Sequence, residues 1–291
     1  MKPRVTVLVA SAVLLVSAHA HAANSASGSV DVQKVGTISP QFSAGYLVRD
    51  QRNARTTQTE ILLSEVTIDP AQMDGVLDPH MVAINLDALR NRNYILLFVH
   101  ADGWVGINAT FSKGMTQFLN DTAGGLKAEF TARTTTRIEG HVFSPAPLKS
   151  MDGTTYTVDL TFGVDIAAPP AGTALPAGGG DPGKALAAFL AASQKKNWTT
   201  IKAGSTAEAL KTFDKSYNSP AENAESAADL LKMWIPLQRM TITGGLLRGK
   251  VAVLDVEGEL FPNQLGLSLV QMVKTGAVWQ FDRAARAGLV R

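Results

Sequence analysis

The sequence predicts an α+β protein in two parts. The N-terminal part is antiparallel, β-rich and sandwich-like. The C-terminal part is three helices followed by a four-stranded antiparallel sheet. Three observations predict this. Strand-length runs fill the chain from Val30 to about Ile166. A stretch dominated by Pro, Gly and Ala, "AAPPAGTALPAGGGDPG" from Ala167 to Gly183, then carries no periodicity. Beyond it apolar residues recur at helical spacing before strand runs return. The division is 1–22 leader, 28–166 β-rich domain, 167–183 linker and 184–291 α+β domain.

The leader comes first. Lys2 and Arg4 precede an apolar run from Val5 to Ala18, and "SAHAHAA" follows with small residues at alternate positions. That is the pattern of a secretory signal peptide, cleaved after Ala22 or Ala23. The apolar run is too short to span a bilayer, which takes about 18 residues or more. The chain has no Cys, so a lipid-anchored product, disulfides, a thiol nucleophile and thiolate metal sites are all excluded. A periplasmic protein without a membrane span after cleavage is expected. Its formal charge falls from +2 to 0 without Lys2 and Arg4, so charge gives no reason to expect nucleic acid as a partner.

In the β-rich part, "YILLFVH" and "WVGINATF" flank Ala101-Asp102-Gly103, and Asp-Gly supplies the positive φ a tight hairpin needs. "LKAEFTARTTTRIEGHVF" alternates, with Phe130, Ala132, Thr134, Thr136 and Ile138 on one side. After Asp152-Gly153, Tyr156, Val158, Leu160, Phe162 and Val164 form the apolar side of a half-buried strand. "MVAINLDALRNRN" fits one short helix. "RDQRNARTTQTE" carries Arg49, Arg52 and Arg55 between two strands and reads as an exposed polar hairpin tip, a place where binding residues are displayed.

In the C-terminal part, Asp181-Pro182 is the expected helix start, with Leu186, Phe189, Leu190 and Ser193 at helical spacing. A second helix starts at Ser205-Thr206 and a third at Pro220. Four strands follow, "QRMTITG", "GKVAVLDVEGEL", "LGLSLVQMVKTG" and "AVWQFD", with turns at Gly244-Gly245 and Thr275-Gly276.

The strands "KVAVLDVEGEL" and "LGLSLVQMVKTGAVWQFD", with the helix before them and with Lys274, Gly276 and Trp279 at a strand–turn–strand junction, resemble the nuclear-transport-factor-like superfamily. The resemblance covers roughly Asp181 to Arg291. It implies a cone-shaped α+β barrel in which one sheet face lines a pocket for a small hydrophobic ligand. Some members use a pocket carboxylate as a general base, and others act by binding alone.

Candidate site residues are few. Asp255 and Glu257 project from one face of their strand, with Leu254 and Val256 on the other. They either reach a pocket mouth, joined by Asp282 and Arg239, or sit on the solvent face. Trp198, in "KKNWTT", either anchors a partner or closes the end of the barrel. His80, His100 and His141 lack a second ligand at i, i+3 or i, i+4, so no metal site is expected. No G-x-S-x-G elbow or phosphate loop is present, and no cofactor is expected. The leading expectation is a non-enzymatic periplasmic binding or adaptor protein that recognises a protein partner in the envelope or a small ligand. The alternatives are an immunity protein that occludes an incoming interbacterial toxin, and an enzyme that uses a pocket carboxylate of the C-terminal domain.

Overall fold

A computed structural model describes residues 24–50, 53–54, 56–73, 75–76, 78–112, 115–119, 125–150, 153–167 and 172–290. The expected leader, Arg52, Arg55, Asp152 and Pro169-Pro170 lie outside them. Of the described residues 48% are strand and 23% helix, in three sheets with five helices. This overturns the α+β class: the protein is mainly β.

Two sheets enclose one core. The first runs β2 (Gly36–Ile38), β1 (Ser25–Val32), β11 (Thr155–Asp165), β9 (Arg137–Phe143), β8 (Lys127–Arg133), with β10 (Leu148–Lys149) beside β11. The second is a meander in chain order of β3 (Phe42–Arg49), β4 (Thr57–Ser64), β5 (Tyr94–Val99), β6 (Val105–Phe111) and β7 (Met115–Phe118). Alternation places Tyr156, Val158, Leu160, Phe162 and Val164 of β11 inside, against Ile61, Leu63, Ile95, Leu97 and Ile107 of the second sheet. Burying these aliphatic faces supplies most of the stabilisation, about 1.5–3 kcal/mol per large side chain.

The stretch 127–143 is not one alternating strand. Thr134 interrupts it: its hydroxyl accepts from the backbone N–H of Thr136 and Arg137, closing a turn between β8 and β9. The expected short helix is α1 (Pro79–Ile84), followed by a 3₁₀ turn at Asp87–Leu89. With a second 3₁₀ turn at Pro70–Met73, these pieces cover the outer face of the second sheet, packing Met73, Ala83, Leu86 and Leu89 on Ala44, Tyr46, Leu62 and Leu96.

The third sheet has five strands, ordered β12 (Thr173–Leu175), β13 (Gln238–Arg248), β14 (Val251–Phe261), β15 (Gln264–Thr275) and β16 (Val278–Leu289). The expected three-helix, four-strand order is therefore corrected twice. A strand from within the Pro/Gly-rich stretch, β12, pairs with β13 ahead of the helices. Four helices follow: α2 (Gly180–Gln194), α3 (Trp198–Ala203), α4 (Ala207–Phe213) and α5 (Pro220–Trp234). The extra one, α3, starts because the Asn197 side chain accepts from Thr200 N–H. Trp198 thus opens a helix rather than trailing one. The N-cap of α2 is Gly179, in the left-handed region, not Asp181. Gly244-Gly245 is no turn either: both lie inside β13, where a Cβ on Gly245 would sit 2.4 Å from Val253 O. Close strand approach explains that glycine; the chain turns instead at Gly249-Lys250.

α2 to α5 cover one face of this sheet. Leu186, Phe189, Ile201, Phe213, Ala224, Ala227 and Leu231 pack on Ala252, Leu254, Val256, Val270, Met272 and Phe281. The Phe281 ring lies at the centre, stacked 4.8 Å from Phe189 and 6.0 Å from Phe213.

Candidate functional site

The face of β14 opposite the helices carries Asp255, Glu257 and Glu259, as period-two alternation requires. Asp255 is ion-paired with Arg49 of the β-rich part. Its Oδ1 accepts from Arg49 Nη2 at 2.6 Å, with the two side chains 31% and 37% exposed. Arg49 also donates to Ala54 O, and Ala54 N–H donates to Leu289 O of β16. Arg52 and Arg55 of the β3–β4 connection lie outside the described residues. Of its described residues Asp50 and Ala54 are buried, and Ala54 contacts the third sheet through Leu289. Two residues expected to act separately, Arg49 and Asp255, meet as the joint between the two parts of the molecule.

Glu257 is half-buried on the same face as Asp255. Asp282 is buried: it accepts from the Thr206 hydroxyl, from Gln271 and from Arg283. It ties the α4 N-cap to the sheet and does not join Asp255. Trp198 is half-buried against the helix-covered core, as are Trp234 and Trp279. The Lys274 ammonium lies 5.8 Å from the Trp279 ring centroid across the β15–β16 pairing.

Arg239 lies elsewhere. It is 87% exposed, sits at φ 50° near the start of β13, and its guanidinium is 3.9 Å from Glu259. With Gly258, Asn263, Gln264 and Leu265 these two line a shallow depression of about 370 Å³. Beside it the β14–β15 hairpin turns through Pro262-Asn263, and Asn263 takes the positive φ that the turn needs. Near the turn lie Phe261, directly before it and 56% exposed, and Leu265, one residue beyond Gln264 and 50% exposed. Sequence reading passed over both, because apolar residues at a strand end read as core. The available signal was Pro-Asn between them, which fixes a two-residue turn and leaves its flanks beyond the cover of any helix.

The three described histidines each pair with a carboxylate distant in sequence, which spacing rules cannot detect. His141 meets Asp159 on the outer face of the first sheet at 2.7 Å. His100 and Asp50, both buried, meet at 2.9 Å. His80 meets Glu60 at 2.8 Å under α1. Among the described residues no three His, Asp or Glu side chains are grouped to hold a metal, and no helix is long and apolar enough to cross a membrane. No family model, curated protein or solved structure matches the chain, so the site is assigned from its own residues alone.

Proposed function

We propose that the protein is a non-enzymatic periplasmic binding or adaptor protein that docks a protein partner through the β14–β15 hairpin. One observation carries this reading: Phe261 and Leu265 are both half or more exposed on one hairpin tip, and Leu265 also lines the depression that holds Arg239 and Glu259. Single exposed apolar residues are ordinary. Two at one tip, with Leu265 contiguous with a guanidinium and a carboxylate, provide apolar anchors with a polar rim, the anatomy of a protein interface. The partner surface would offer an apolar pocket for Phe261 and a carboxylate for Arg239.

The immunity reading is a special case, in which the partner is a toxin and the hairpin occludes its site. The enzyme reading needs Asp255 or Glu257 to face a cavity. Arg49 lies across Asp255, and neither carboxylate lines the depression, so support goes to recognition.

Crosslinking in intact cells tests the proposal. The full chain, with its own first 22 residues and a tag, is compared with the Phe261→Ser/Leu265→Ser double variant. The wild type is expected to co-purify one stoichiometric protein at high salt and the variant to lose it. Equal capture by both, or none by the wild type, overturns the proposal. Adding purified protein to the captured partner then separates an adaptor from an inhibitor.

A further inference from the structure

We propose that Glu60 and His80, backed by Tyr46 and Gln58, form a proton-controlled latch that holds α1 over the outer face of the second sheet. The inference is independent of the hairpin and goes beyond the binding role.

The geometry starts from strand pairing. Tyr46 of β3, Glu60 of β4 and Phe98 of β5 are cross-strand neighbours and share the outer face. Gln58, two residues before Glu60, lies on the same face. Tyr46, Gln58 and Glu60 are each 1% exposed. The Glu60 carboxylate accepts from Gln58 Nε2 at 3.1 Å through Oε1 and meets His80 Nδ1 at 2.8 Å through Oε2. His80 lies in the first turn of α1, its ring 6.4 Å from Phe98.

A six-residue helix does not hold itself together. Asp78 caps α1 by accepting from Met81 N–H, and Ala83 is its one buried residue. Val82 and Ile84 are partly buried against the same face, and His80 adds the polar tie to Glu60. The other titratable groups that act on the cluster are Asp78 before α1, Tyr46 from β3 and Tyr94 from β5. None is a cation. Protonated His80 is thus the counter-charge to a carboxylate out of water, and a buried carboxylate without its counter-charge is costly.

The protonation energetics agree with the geometry. Burial pulls the His80 imidazolium down, but the hydrogen bond and charge of Glu60, with the charge of Asp78, outweigh it and leave His80 above its ordinary value of 6.5. A group raised in the folded state contributes its full stabilisation below 6.5 and loses it as pH rises through the folded value. The latch is closed in mild acid and loosens in base.

A second observation explains why it can open. Gln58 Oε1 is buried with no hydrogen-bond partner among the described residues. Burial, then the charge of Glu60 and a hydrogen bond to its carboxylate, hold the Tyr46 phenol well above 10, so it stays neutral throughout. Lifting α1 lets water reach Gln58 Oε1 and offsets part of the opening cost. It also bares Leu62 and Leu96, an apolar surface presented only when the latch is open.

Amide hydrogen exchange on the full chain, expressed as protection factors at pH 6 and pH 9, tests the latch. Protection of residues 81–90 is expected to fall several-fold at pH 9 while β11 amides stay unchanged. Glu60→Gln is expected to remove the pH dependence, and so is the more exposed His80→Gln, which guards against a misfolded interior variant. Equal protection of 81–90 at both pH values overturns the latch. So does loss of β11 protection in step with α1, or a pH dependence that persists in both variants.

Discussion

Two sheets of this protein each have one face covered by helix, and they are covered in opposite ways. The third sheet lies under four helices, and most of the interface is apolar, with Phe281 stacked among Phe189, Phe213 and Trp234 and one polar tie from Thr206 to Asp282. The outer face of the second sheet lies under one short helix and two 3₁₀ turns, and its apolar contacts give way at one end to Tyr46, Gln58, Glu60 and His80. The cover of the third sheet rests chiefly on aliphatic and stacked-ring contacts, which do not titrate. A cover held by few apolar contacts and one ion pair responds to what titrates beneath it.

The largest expected effect is on the apolar cover. Phe281→Ala should destabilise the protein by about 3–5 kcal/mol, since the cavity lies at the meeting point of three rings. Urea denaturation at pH 6 and pH 9 should give the same loss. A loss that depends on pH would break the comparison. Next is Glu60→Ala, which strands Gln58 and His80 and should cost about 2–3 kcal/mol at pH 6. Its cost should shrink from pH 6 to pH 9 as wild-type His80 gives up its proton; an undiminished cost would show that the pair acts by packing alone. The capping box of α5, in which Ser219 and Glu222 exchange hydrogen bonds, sharpens the apolar side: Ser219→Ala should cost about 1 kcal/mol. The smallest effect is at the joint. Asp255→Ala removes an ion pair about one-third exposed on both sides and should cost less than about 1 kcal/mol, diminishing with salt.

The same contrast explains what was legible in the sequence. The inward residues of β11 announce themselves by strict alternation, and α5 by Ser219, Pro220 and Glu222 at its start. The cover of the second sheet did not. Glu60 reads as the polar side of a half-buried strand, and nothing local shows that both faces of β4 are buried. Its partner His80 is twenty residues away. Arg49 and Asp255 are 206 residues apart, so their meeting follows from tertiary docking and not from any motif. The mainly β class was missed for a related reason. The turn at Thr134 and the strand Thr173–Leu175 rest on hydrogen bonds made by residues common in loops, and the eye reads the first as a continuing strand and the second as linker. The hairpin tip was missed because exposure is decided by where the helices stop.

The third sheet also presents the surface on which the functional reading rests, and the two ends of α5 provide its control. Tyr217 precedes α5 and is 83% exposed. It lies beyond the N-terminal end of a 15-residue helix, about 20 Å long at 1.5 Å per residue, while Arg239 follows the C-terminal end. A photo-crosslinking phenylalanine derivative placed at position 261 or at position 217, in cells, is the most direct measurement. Recognition through the hairpin predicts one discrete protein adduct from position 261 and none from position 217. Adducts from position 217 alone, or the same adducts from both positions, would contradict it.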